Sequence, residues 1–112
     1  TPETEDIFRA KNFALMPKGA SLINLGRGPH VVDGDLIAAL DSGHLAAATL
    51  DVFREEPLPK DHPFWRHPRI TVIPHASRGQ FPADITPLIC AHLRRLQRGE
   101  PMTDRVDPRA GY

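Results

Sequence analysis

The chain has 112 residues, 40% of them hydrophobic, and its 14 basic and 14 acidic side chains cancel to zero formal charge. That length supports one modest core, and the neutral balance leaves no electrostatic footprint for nucleic acid or an anionic membrane. The lone Cys90 excludes an internal disulfide, and no apolar run approaches the ~20 residues that span a bilayer or resembles a leader, so a soluble, cytoplasmic setting is expected.

Thr1-Pro2-Glu3 is a helix-start pattern, with the hydroxyl at the cap, proline at the first helical position and acid in the first turn. Helix, continuous or broken, is expected from there to Met16, with Pro17-Lys18-Gly19 ending it. Ser21 to Leu25 (SLINL) then reads as a strand and Gly26-Arg27-Gly28-Pro29 as a tight turn. Asp33 is positioned to cap a short helix whose Leu36, Ile37 and Leu40 share a face, and Ser42-Gly43 stops it. Ala46 to Phe53 (AAATLDVF) is the next strand, completing a unit of βαβ size.

A proline-rich loop follows, from Arg54 to Pro63, with Phe64 and Trp65 at its end. Ile70 to Pro74 (ITVIP) is a third strand. The last helix carries Ile85, Leu88, Ile89, Leu93 and Leu96 on one stripe, and Pro87 within it should either kink the helix or mark its first turn, with Thr86 as cap. The tail from Gly99 to Tyr112 reads as irregular and exposed.

The three strand-like runs are continuously apolar, which suits parallel strands buried on both faces. The expected fold is therefore α/β, an open parallel sheet of about three strands with flanking helices and a C-terminal helix. Open sheets of this kind place their chemistry at the C-terminal strand ends. Arg27, Glu56 and His75 each follow one of the runs. Asp51, inside an apolar run, needs a specific partner because a buried carboxylate is costly without one. The glycines around Arg27 would let a ligand approach the backbone.

That set suits reduction of a 2-oxo acid. Hydride delivery builds negative charge on the carbonyl oxygen, which calls for a proton donor there and a cation for the carboxylate. Arg27 can fork onto both groups, and His75 as imidazolium can give the proton, with Glu56 nearby favouring the charged ring. A metal site built from His62, His67, His75 and Asp61 is disfavoured, because the spacing is not helical and two of the histidines precede prolines. No G-x-S-x-G elbow supports a hydrolase.

On LINLGRG, LDVFREEPLP and VIPH, in this order and spacing, the chain resembles the D-isomer-specific 2-hydroxyacid dehydrogenases over essentially its whole length. HPFWRHPRITVIPHAS and VDPRAGY look most like the branch that reduces glyoxylate and hydroxypyruvate. The resemblance implies the second half of a Rossmann-like NAD(P)-binding domain over residues 1–80, and a C-terminal helix and tail returning toward a substrate domain over 81–112. It implies Arg27 as substrate-binding residue, His75 as acid/base and Glu56 as its paired carboxylate. Leu25, Gly26, Arg27, Asp51 and His75 would contact the cofactor, NADP or NAD, with no metal. A second identical subunit and an N-terminal portion carrying the G-x-G-x-x-G turn are implied partners, so the 112 residues alone are expected to be inactive. The same fold also serves non-catalytic, nucleotide-sensing corepressors, which is the alternative reading.

Overall fold

The computed structural model describes residues 1–77, 79, 82–103, 105–107 and 109. They divide into two units, Pro2–Ser77 and Thr1 with Arg78–Tyr112. In the first unit, β1 (Ala20–Asn24), β2 (Leu45–Leu50) and β3 (Ile70–Val72) form a parallel sheet in the order β1-β2-β3. Asn24 pairs with Leu50 and Leu50 with Val72, so all three strands leave the sheet at one end.

Helix α2 (Asp33–Asp41) links β1 to β2 and buries Leu36 and Leu40 completely. They pack with Leu22, Ala48 and Leu50 of the sheet, Phe13 of α1 (Ala10–Phe13), and Phe64 from the loop before β3. Fully burying a side chain of this size contributes about 1.5–3 kcal/mol. Gly43 ends the α2 turn at φ +71°, a left-handed position that favours glycine.

The elements depart from the sequence expectations in several places. The N-terminal helix takes its broken form and is short, a 3-10 turn at Pro2–Thr4, where the Thr-Pro-Glu pattern starts it, and the four residues of α1. The intervening backbone pairs instead with the segment after β1: Asp6 N–H donates to Pro29 O, Phe8 N–H to His30 O and Val32 N–H to Phe8 O. Asp33 is the first helical residue of α2 rather than its cap, a position held by Val32 without a side-chain bond. Within this unit one face of the sheet is buried and the other is uncovered, as three strands alone would leave it: Leu22 and Asn24 are buried while Ile23 between them is 67% exposed. The second strand also stops at Leu50, so Asp51 lies just past its end.

In the second unit, α3 (Pro82–Gln97) runs through Pro87, so Thr86 does not cap it and Pro87 is not in its first turn. Pro82 takes the helix start instead, where its missing N–H costs nothing. Leu88, Ile89, Leu93 and Leu96 are all more than half exposed. The expected 80/81 boundary falls outside the described residues, as does much of VDPRAGY. Among the described residues no helix is long and apolar enough to cross a membrane.

Candidate active site

The turn after β1 is organised by Asn24, a buried amide in an apolar strand. Its Oδ1 accepts the Gly26 N–H at 3.1 Å and its Nδ2 donates to the Arg27 carbonyl at 3.0 Å. The turn lifts Arg27 out of the sheet, with a guanidinium N–H donated to Gly26 O at 2.8 Å. A β-carbon on Gly28 would lie 1.9 Å from the carbonyl carbon of Phe53. The close approach that requires glycine there is therefore made by the backbone following β2, not by a ligand.

Arg54 fastens the same two loops. It donates to Val31 O at 2.8 Å and to Pro29 O at 3.1 Å, and pairs with Asp6. Two residues on, Glu56 turns back: Oε1 accepts the Phe53 N–H at 2.9 Å and Oε2 lies 2.7 Å from His75 Nδ1. The bond from His75 and then that from Phe53 hold the Glu56 carboxyl below its ordinary range. The charge of Arg27 acts in the same direction. With Nδ1 engaged by the carboxylate, Nε2 is the ring nitrogen left available to another partner.

His75 has φ +51°, the left-handed region that non-glycine residues rarely enter. Its N–H donates to Asp51 O at 2.9 Å. The Asp51 carboxylate, in a residue only 3% exposed, accepts the N–H groups of Ala76 and Ser77 and the Ser77 hydroxyl. These bonds, the Ser77 hydroxyl first, hold the Asp51 carboxyl below its ordinary range.

Beside the Glu56–His75 pair lies a cleft of about 400 Å³ whose other lining is apolar, from Phe53, Pro57, Leu58, Trp65 and Pro74. Trp65 is fixed there by its indole N–H, which donates to Pro59 O at 2.8 Å. The other two histidines of the disfavoured metal set, His62 and His67, face other acids: His62 approaches Asp33 at 3.5 Å, and His67 approaches Asp41 at 3.2 Å. The three histidines thus pair with three different carboxylates.

Of the residues singled out in sequence, the structure joins Glu56 to His75 directly and sets Arg27 and Asp51 at the neighbouring strand ends. Leu25, 57% exposed, and Gly26 follow β1 at the same end. Asn24 and Ser77 are site residues that the sequence does not single out. Asn24 carries a signal, a polar residue within an apolar strand. Ser77 lies within HPFWRHPRITVIPHAS, but nothing there marks its hydroxyl as a partner of Asp51.

Residues 1–77 match the model of the D-isomer specific 2-hydroxyacid dehydrogenase NAD binding domain. The chain is 49% identical over all its residues to a glyoxylate/hydroxypyruvate reductase A of Serratia proteamaculans, of which it covers 36%. A D-isomer specific 2-hydroxyacid dehydrogenase of Xanthobacter autotrophicus, solved with NADPH and MES, superposes with a TM-score of 0.90 at 47% identity, covering 100% of this chain and 46% of that one. An NADPH-dependent glyoxylate/hydroxypyruvate reductase of Sinorhizobium meliloti, solved with NADP and sulfate, gives a TM-score of 0.87 at 38% identity, covering 100% of this chain and 37% of that one. The chain thus spans under half the length of each of these relatives.

Proposed function

This chain belongs to the D-isomer specific 2-hydroxyacid dehydrogenase family, and from that premise we propose that it carries the acid/base part of the site of an NAD(P)H-dependent reductase of small 2-oxo acids. The observation that carries the proposal is the 2.7 Å contact between His75 Nδ1 and Glu56 Oε2 beneath an open cleft.

A bound reduced nicotinamide supplies the hydride. His75 gives the matching proton from Nε2 to the carbonyl oxygen, so that a carbonyl carbon and oxygen gain one hydrogen each and become the hydroxy acid. Glu56 keeps the ring oriented and balances the imidazolium before transfer. Arg27 forks onto the substrate carboxylate and carbonyl oxygens. The residues after β1 and β2 fit a nicotinamide carboxamide. Three of roughly four acceptor positions on the Asp51 carboxylate are filled within the chain, leaving room for an amide N–H, and the backbone at Leu25 and Gly26 is at hand.

Glyoxylate and hydroxypyruvate are the proposed substrates, in line with the names of the relatives from Serratia and Sinorhizobium. NADP is proposed first and NAD second, since the two solved relatives hold NADPH or NADP. The chain covers 36% of the Serratia relative and contains no G-x-G-x-x-G turn, so the remainder of the site is assigned to a portion outside these residues, and the chain alone neither binds NADPH nor turns over. In the intact protein residues 1–80 are assigned to the cofactor domain and 81–112 to the helix and tail returning toward the substrate domain. A homodimer in the cytoplasm completes the proposal.

The test is NADPH oxidation by the intact protein with glyoxylate and with hydroxypyruvate, with His75→Gln as control. A rate that depends on oxo acid and is abolished in the control is expected. Cofactor binding without any such rate would replace the reductase with a nucleotide-sensing module of the same fold.

A further inference from the structure

We infer that Ser77 is a positioning residue for His75, acting through Asp51 to hold the histidine in its left-handed backbone conformation with the ring on Glu56. The inference rests on the acid/base role proposed for His75, but the geometry stands apart from it. Four hydrogen bonds fasten three consecutive residues to Asp51. His75 N–H is shared between the Asp51 and Ile73 carbonyls, at 2.9 Å to each. Ala76 and Ser77 N–H donate to Oδ1 at 2.7 and 2.9 Å, and the Ser77 hydroxyl donates to Oδ2 at 2.6 Å.

This is not a local turn motif, because Asp51 lies 25 and 26 residues before Ala76 and Ser77. It joins the residue just past β2 to the segment just past β3. A histidine at φ +51° brings its β-carbon against its own backbone, so the conformation persists only where neighbouring bonds over-determine it. The carboxylate needs the hydroxyl in turn. Asp51 is 3% exposed, and among the described residues the Ser77 hydroxyl is the one donor to Oδ2 and the largest single cause of its lowered pKa.

Replacing the hydroxyl by hydrogen leaves a buried carboxylate oxygen short of a donor. The carboxylate then rotates toward other donors, the bonds to Ala76 and Ser77 N–H loosen, and His75 is free to relax to negative φ. Its ring would leave Glu56. Ser77 itself is exposed, so losing the hydroxyl does not open the core.

The experiment compares Ser77→Ala with Ser77→Thr in the intact protein, labelled with nitrogen-15 at histidine, the His75 signals being assigned from a His75→Gln spectrum. Ser77→Ala is expected to lose or shift the His75 Nδ1–H resonance that reports the Glu56 bond, and to lower kcat about tenfold or more with KM for the oxo acid little changed. Ser77→Thr, which keeps the hydroxyl, restores both. A Ser77→Ala protein with the wild-type His75 resonance overturns the inference whatever its rate or melting temperature, and so does a Ser77→Thr protein that behaves like Ser77→Ala. A wild-type protein without oxo-acid turnover refutes the reductase reading, and the resonance still decides the role of Ser77.

Discussion

His75 Nδ1 lies 2.7 Å from Glu56 Oε2, and the other oxygen of Glu56 is already held by the Phe53 N–H at 2.9 Å. The carboxylate is thus anchored to its own loop before it engages the ring, which makes it a fixed support rather than a mobile counter-ion. Glu56→Gln keeps the shape but removes the charge. In the intact protein kcat/KM for glyoxylate should fall by about a hundredfold, the lower end of what acid/base catalysis contributes. Steady-state kinetics check it, and a wild-type value would remove Glu56 from the mechanism.

Arg27 stands on the loop of the neighbouring strand, and Asn24 shapes that loop from within the sheet. Its guanidinium can meet a carboxylate through two parallel N–H groups, which a lysine ammonium cannot reproduce. Arg27→Lys should therefore raise KM for the oxo acid and lower kcat, together costing about a hundredfold in kcat/KM, while leaving NADPH affinity nearly unchanged. A change confined to NADPH affinity would remove Arg27 from the substrate and leave it only the cofactor contact that the resemblance implies.

What the sequence made legible follows from how parallel sheets are built. The three apolar runs named the strands, and the C-terminal ends of parallel strands gather at one edge, so Arg27, Glu56 and His75 could be placed near one another without coordinates. Asp51 was readable as a carboxylate that needs a partner. The partner was not, because nothing local marks a serine that meets it from 26 residues away. The same limit misled the reading at the N-terminus. There the Thr-Pro-Glu signal does start a 3-10 turn at Pro2–Thr4, but pairing of Asp6 and Phe8 with Pro29 and His30 interrupts the helix after it, a tertiary contact that overrides local propensity. Apolar runs also do not say what covers them: Ile23 lies between buried Leu22 and Asn24 and is 67% exposed in this unit.

Gly28 joins the two loops by the absence of a side chain. With an added β-carbon 1.9 Å from Phe53 C and 2.4 Å from Arg54 N, Gly28→Ala must push the loop carrying Glu56 away from that carrying Arg27. Overpacking against backbone should cost about 1–3 kcal/mol. Denaturant unfolding should show a lower midpoint with an unchanged slope, and activity should fall further than stability because the catalytic loops are what moves. An unaltered midpoint would disprove the close packing of these loops.

The carboxylates of the site also set the response of the fold to acid. Glu56 and Asp51 titrate below their ordinary values, Glu56 mainly through the bond from His75 and Asp51 mainly through the Ser77 hydroxyl. Each therefore binds its proton more readily in the unfolded chain. Their stabilisation is present above the unfolded values, about 3.9 for Asp and 4.3 for Glu, and is lost as pH falls through the lower folded values. Asp33 has the opposite sign. Burial raises its pKa, so what it contributes is present below the unfolded value and lost as pH rises through the folded one. Among the described residues two groups are lowered and one is raised, so the urea midpoint should drop as pH falls below about 4. Asp51→Asn, which cannot titrate, should flatten that drop, whereas Asp33→Asn should steepen it. Midpoints measured from pH 6 to 3 for the three proteins distinguish these slopes, and parallel curves would mean that the site carboxylates are not what acid attacks first.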